Sequence, residues 1–352
     1  MTLASFASET LNSALPSPEE LQKEIPLTDA HADFIFKSRE TVEAILNGWD
    51  SRVLLIAGPC SIHDLHSARE YGKRLQQLAE QVSESFFLIM RTYFEKPRTI
   101  VGWKGMLYDP DLDGSYDLLK GIKQTRQLLV DLTEIGIPVG CELLEINSSH
   151  YYTDYLTWGC VGARTCSSPP HRQFAASLNL PVGFKNSIDG NIDHPIHGIM
   201  SAGAPHVFLG LSPSGQMVRI QAEGNPLCHL VLRGGVSGPN YRSEEIQATV
   251  QKCRTANVRD KVVIDCSHDN CGKKHTRQAK VFDEVAQQIQ DGNSSIAGIM
   301  LESHLFSGAQ EMTFPLQYGV SITDPCIDWE TTERLIRGAH SRLQQHHYCI
   351  QN

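Results

Sequence analysis

Four side chains of metal-binding type, Cys60, His268, Glu302 and Asp324, stand at or just beyond the ends of apolar runs in this chain. A thiolate, an imidazole and two carboxylates suit Mn²⁺, Fe²⁺, Co²⁺ or Zn²⁺ better than Mg²⁺ or Ca²⁺, which favour all-oxygen shells. Singly, each also reads as ordinary structure: a free cysteine is commonly core filler, and a strand-end histidine commonly satisfies a hydrogen bond. A second set is cationic: Arg91, Lys96, Arg98, Arg164, Lys185 and Arg233. Lys and Arg are almost never buried without a partner, and several of these directly follow apolar residues, so something anionic compensates them. Two readings stay open. The cations pair with Glu142, Glu302 or other carboxylates, or they recognise phosphate through Arg forks and Lys point charges. Their excess over nearby acids favours a substrate with more than one phosphate or carboxylate group. Gly234 and Gly235 either let backbone N–H groups approach a phosphate or simply turn the chain. Cys266 and Cys271 flank His268 without a second pair, which argues against a structural zinc site.

The elements that must position these groups are eight short runs. They finish at Cys60 in VLLIAGPC, Arg91 in FFLIMR, Glu142 in PVGCE, Arg164 in GCVGAR, Lys185 in PVGFK, Arg233 in HLVLR, His268 in VVIDCSH and Glu302 in IAGIMLE. Continuous Val/Ile/Leu runs separated by helix-length segments predict an α/β protein, a (β/α)₈ TIM barrel whose strand ends converge on one mouth. Residues 1–50 read as an N-terminal arm with a helix over DAHADFIFKSRETVEAILNGW, and 51–340 as the catalytic barrel. Between strands 5 and 6, PHVFLGL, SPSG and QMVRIQAE predict an inserted β-hairpin at about 205–223. A closing helix and a C-terminal tail, 341–352, follow.

A formal net charge of −9 opposes general binding to nucleic acid or anionic membrane, since both demand a positive field. Ten cysteines without a CxxC pair point to reduced thiols. The first twenty residues carry no Lys or Arg and hold Glu9, which fits neither a signal nor a transit peptide. A cytoplasmic protein is expected.

Several strings carry a family resemblance: Gly58-Pro59-Cys60-Ser61-Ile62-His63-Asp64, Arg91-Thr92-Tyr93-Phe94-Glu95-Lys96-Pro97-Arg98-Thr99 and Gly102-Trp103-Lys104-Gly105. Gly162-Ala163-Arg164-Thr165, Leu232-Arg233-Gly234-Gly235, Asp265-Cys266-Ser267-His268, Glu302-Ser303-His304 and Ser321-Ile322-Thr323-Asp324 extend it. The chain resembles the class I 3-deoxy-D-arabino-heptulosonate 7-phosphate (DAHP) synthases along nearly its whole length. That resemblance implies condensation of phosphoenolpyruvate with erythrose 4-phosphate, the first step of the shikimate pathway, with one divalent metal ion per subunit. It implies metal ligation by Cys60, His268, Glu302 and Asp324, with Lys96, Cys60 and His268 as the catalytic set. Phosphoenolpyruvate would be held by Arg91, Arg164, Lys185 and Arg233, with Glu142 and Ala163 in the substrate site, and the aldose phosphate by Lys96, Pro97, Arg98 and Thr99. It also implies a homodimer or homotetramer, and an aromatic amino acid effector pocket at Ser149, His150, Asn179, Phe208 and Gly210.

Three stretches depart from the family pattern. Cys166-Ser167-Ser168-Pro169 and Ser187-Ile188-Asp189-Gly190 replace the usual Thr-Glu-Ser-Gln and Gly-Thr-Asp-Gly, and Ser148-Ser149-His150 replaces Thr-Pro-Gln. The first two unsettle the shape of the substrate cleft. The third, with Asn179 where the family often has Ser, predicts weak or altered feedback by phenylalanine and tyrosine. Rival readings are the same chemistry on another phosphorylated aldose, or a non-catalytic regulator; the intact metal and cation sets oppose the latter.

Overall fold

The computed structural model describes residues 14–98 and 100–351, with side chains as far as 345. Its strands are β1 (Val53–Gly58), β2 (Phe86–Arg91), β3 (Val139–Glu142), β4 (Trp158–Val161) and β5 (Val182–Lys185), then β6 (His206–Leu211), β7 (Met217–Ala222), β8 (Cys228–Leu232), β9 (Val262–Asp265) and β10 (Ile296–Glu302). Its helices are α1 (Pro18–Glu24), α2 (Asp29–Asn47), α3 (Leu65–Gln81), α4 (Leu118–Ile135) and α5 (Ile146–Ser149), then α6 (Pro169–Ser177), α7 (Asp193–Ala202), α8 (Ser243–Thr255), α9 (Gln278–Gln290) and α10 (Trp329–Gln351). Eight strands close into a barrel in the order β1-β10-β9-β8-β5-β4-β3-β2, parallel throughout. The two others pair antiparallel as the expected hairpin, which packs on α6. No described helix is long and apolar enough to cross a membrane.

Side chains alternate along the barrel strands, as a period of two requires. Leu54 and Ile56 point inward to meet Ile89, Trp158, Val231, Val263 and Met300, while Val53, Leu55 and Ala57 face the surrounding helices. The inner cluster also holds Val42, Ile45 and Leu46 from α2, so this helix closes the barrel's floor. Thr28 caps α2 at its start, and Gly48 ends it at φ 76°, a left-handed conformation suited to glycine. Arg259 then fastens the end of the helix by donating to Leu46 O at 2.8 Å and Asn47 Oδ1 at 2.7 Å.

The strands stop earlier than four of the sequence runs suggest. Arg91, Glu142, Lys185 and Glu302 are terminal strand residues, but Cys60, Arg164, Arg233 and His268 lie one to three residues beyond Gly58, Val161, Leu232 and Asp265. Pro59 cannot donate to a ladder, and His268 adopts φ 53°, outside strand geometry. Those four groups therefore ride on loops, where they can turn across the mouth.

Candidate active site

The strand ends and following loops enclose a cavity of about 450 Å³ at the barrel's mouth. All six cations of the sequence analysis line it, together with Pro97, Glu142, Ala163, His268, Glu302 and Asp324. Thr99 lies outside the described residues. Cys60 is fully buried at the edge of this space. Its Sγ and carboxylate oxygens of Glu302 and Asp324 all fall within 4.8 Å of one another. His268 is outside that mutual set, but its Nε2 stands 3.8 Å from Glu302 Oε1.

Lys96 binds two of these donors. Its Nζ donates to Asp324 Oδ2 at 2.6 Å and lies 2.8 Å from Cys60 Sγ, which itself reaches Asp324 Oδ2 at 3.3 Å. Burial and the Glu302 charge push the Cys60 thiol up to about 11, although Lys96 pulls the other way. Burial would also raise the Asp324 carboxyl, but Lys96 and His268 together hold it below the usual carboxylate range. The same neighbours act in reverse on Lys96: burial opposes its charge, yet Cys60, Asp324 and Glu302 keep it protonated. A donor cluster that needs a lysine ammonium for balance has the composition of a cation site, and sulfur with carboxylate and imidazole fits a borderline divalent ion.

The cationic side is built on carboxylate struts. Lys185 donates to Asp265 Oδ2 at 3.0 Å, and His268 Nδ1 lies 2.9 Å from the same oxygen. Ser267 Oγ donates to Asp265 Oδ1 at 2.5 Å. These bonds hold the imidazole in its left-handed backbone position with Nε2 turned toward Glu302, as expected when a carboxylate orients a ligating histidine. Arg233 Nη1 donates to Asp269 Oδ2 at 2.6 Å, and Arg91 Nη2 donates to Glu302 Oε1 at 2.9 Å. The Arg91 guanidinium also bonds the carbonyls of Pro59 and Cys60 and lies 3.6 Å from the centroid of the Tyr93 ring. Gly162 makes room here, because a Cβ at that position would meet Glu142 Oε1 at 2.0 Å.

Pairing is extensive, yet it leaves cations in excess. Lys96, Arg91, Lys185 and Arg233 each have a carboxylate partner, yet seven Lys and Arg face the cavity against four Asp and Glu among the described residues. The surplus is positive. Sequence reasoning missed three contributors: Asp265, Asp269 and Tyr93. Asp265 carried a signal, being an acid at the end of VVID three residues before His268. Gly234 and Gly235 resolve as a turn, since their N–H groups donate to Asn240 Oδ1 at 2.7 Å and Gly238 O at 2.9 Å.

This geometry can be set beside known proteins. A profile of the DAHP synthetase I family matches residues 25–337. The chain belongs to that family. It is 46% identical over 325 residues to the Trp-sensitive phospho-2-dehydro-3-deoxyheptonate aldolase of Escherichia coli K12, covering 92% of this chain and 93% of the relative. It is 44% identical over 332 residues to the Tyr-sensitive enzyme of Salmonella typhimurium, covering 94% and 93%. The solved structure of phospho-2-dehydro-3-deoxyheptonate aldolase from Francisella tularensis SCHU S4 superposes with a TM-score of 0.93 at 39% identity, covering 96% of this chain and 98% of that one.

The five residues expected to form an effector pocket occupy the region between α5, α6 and the hairpin. Ser149 Oγ donates to Glu145 O at 2.8 Å, and the His150 ring meets Phe174 edge-on at 5.5 Å. Asn179 O accepts from Arg39 at 3.3 Å, while Phe208 and Gly210 pair with Ile220 and Val218 across the hairpin. A neighbouring cavity of about 500 Å³ is lined by Ser148 but by none of these five.

Proposed function

We propose that the protein is a DAHP synthase, joining phosphoenolpyruvate to D-erythrose 4-phosphate and releasing inorganic phosphate. The observation that carries this reading is the cation-rich mouth directly beside the Cys60, Glu302 and Asp324 cluster. Mn²⁺, Fe²⁺, Co²⁺ or Zn²⁺, held by Cys60, His268, Glu302 and Asp324, would supply Lewis-acid polarisation of the aldehyde carbonyl. Arg91, Arg164, Lys185 and Arg233 neutralise phosphoenolpyruvate, with Glu142 and Ala163 shaping its site. Pro97, Arg98 and Thr99 hold the aldose phosphate, and the two sets fix the reacting carbons in mutual orientation. C3 of phosphoenolpyruvate bonds to the aldehyde carbon, water adds at C2, and C–O cleavage expels phosphate. Lys96, kept protonated by its neighbours, delivers a proton to the aldehyde oxygen as the new carbon–carbon bond forms.

Assay of phosphate release from phosphoenolpyruvate with a panel of aldose phosphates tests this directly. Highest kcat/KM with erythrose 4-phosphate is expected. A second reading, the same condensation on a longer aldose phosphate, draws on Ile188, which lines the cavity where the family pattern has Thr. Preference for a five-carbon substrate would select it. The protein acts as a cytoplasmic homodimer or homotetramer in this reading, and exposed Val207, Leu209 and Met217 on the hairpin support a surface for self-association. An aromatic amino acid at the Ser149, His150, Asn179, Phe208 and Gly210 region would regulate it.

A further inference from the structure

The 500 Å³ cavity shares no lining residue with the mouth and has the opposite chemistry. Four segments form its walls: the chain entering α1, the approach to and start of α4, the stretch around α5, and the tip of the hairpin. Tyr151 Oη donates to Pro16 O at 2.6 Å and Glu19 N donates to Pro213 O at 2.8 Å, which fastens the arm over the space. The volume falls in the range of roughly 300 to 1,000 Å³ typical of small-molecule pockets. Leu107, Tyr108, Leu118 and Ile122 give an apolar and aromatic interior. The charged residues on its wall are Glu20 and Glu145, and no Lys or Arg lines it among the described residues. A ligand with an apolar body and a positive end is favoured there, whereas a carboxylate or phosphate is opposed.

The cavity wall is also tied to the active site through one side chain. Glu95 is 1% exposed; its Oε2 accepts from Glu145 N at 3.0 Å and its Oε1 accepts from Ser148 Oγ. Both partners line the cavity, and Glu95 is the peptide neighbour of Lys96. Burial pushes the Glu95 carboxyl up to about 8, so the strut also responds to charge placed nearby.

We propose that this cavity is a second ligand site for an apolar primary ammonium lacking a carboxylate, and that occupancy is transmitted through Glu95 to the Lys96-Pro97-Arg98 stretch. A ligand that fills the void beneath α5 pins the segment gripping Glu95, which orders the aldose phosphate end of the mouth. The transmission rests on the DAHP synthase reading, whereas binding does not.

Calorimetric titration of the full chain without substrates, using 2-phenylethylamine, phenylalanine and 2-phenylethanol, separates the two parts. The amine is expected to bind saturably and about tenfold or more tighter than either control. Glu145→Gln should weaken the amine about tenfold, and Ile122→Trp, which fills the cavity, should abolish binding. In steady-state assays, saturating amine should lower the KM for erythrose 4-phosphate about fivefold and leave that for phosphoenolpyruvate unchanged. Glu95→Gln should still bind the amine but lose the KM response. No saturable binding, equal binding of phenylalanine, or undiminished binding in Glu145→Gln overturns the site. Binding with an unchanged KM overturns the transmission alone, and an enzyme inactive on erythrose 4-phosphate overturns the functional reading while calorimetry still judges the site.

Discussion

The floor and the mouth of this barrel are built on the same strands and obey opposite rules. At the floor, Leu54, Ile56, Val231 and Val263 pack against Val42, Ile45 and Leu46 of α2, and polar groups such as His229 are satisfied. His229 Nε2 accepts from Trp158 Nε1 at 3.0 Å, and its Nδ1 lies 3.0 Å from Leu227 O. At the mouth, charged residues stand at the strand ends or on the loops just beyond them, and His268 is held at φ 53°. The floor stabilises a single packing. The mouth concentrates charged groups, several of them ion-paired yet with cations in excess, so the packed and the charged ends are separated along the strand axis.

The largest expected effect comes from stripping the mouth. Chelation should abolish turnover, with Mn²⁺, Fe²⁺ or Co²⁺ restoring it, and Lys96→Ala should lower kcat about 10²- to 10⁴-fold. Full activity after exhaustive chelation would break the metal assignment. A floor substitution should do the reverse. Ile45→Ala, at a position 3% exposed, should cost about 2 to 5 kcal/mol in denaturant unfolding while leaving turnover per folded molecule intact. If it instead cut turnover without loss of stability, the division between the two ends would fail.

Within the mouth, the comparison sharpens into two halves. Arg98→Ala should raise the barrier chiefly for erythrose 4-phosphate, and Lys185→Ala chiefly for phosphoenolpyruvate, each by about 1.5 to 3 kcal/mol in kcat/KM. An Arg98→Ala enzyme with unchanged aldose KM and kcat/KM would put that cation elsewhere in the scheme. His229 predicts a gentler, pH-dependent effect. Burial lowers it from 6.5 to about 4, so its contribution to stability is complete above pH 6.5 and is lost as pH falls through that window. His229→Gln should flatten that part of the stability curve, and an unchanged slope would remove His229 as its source. Smallest is feedback: phenylalanine and tyrosine should each inhibit weakly. Potent, cooperative inhibition at low micromolar levels would contradict the loosening expected where Ser149 replaces a proline.

Much of the mouth was legible in the chain because residue type and run end coincide. Cys60, Arg91, Lys185, Arg233 and Glu302 each close an apolar run, and parallel strands leave such ends one place to meet. Asp265 and Asp269 were harder, since their value depends on which cation of another strand or loop lies opposite, and register between strands is not written in either. The loop positions of Cys60, Arg164, Arg233 and His268 were blurred because each lies within one to three residues of a strand's last residue, closer than a run of apolar residues can fix a strand end. Periodicity marked α2 as amphipathic, but a helix's apolar stripe does not say what it will cover.

That helix has a consequence for traffic. With α2 sealing the floor, nothing passes through the barrel, so every molecule must use the mouth. Arg91 and Lys185, 2% and 3% exposed, lie deep, whereas Ile100 and Val101, 81% and 95% exposed, stand at the rim. A dead-end vestibule loads from the bottom. If Arg91 and Lys185 hold phosphoenolpyruvate as proposed, it would enter before the aldose phosphate, and released phosphate would leave by the same doorway the next substrate needs.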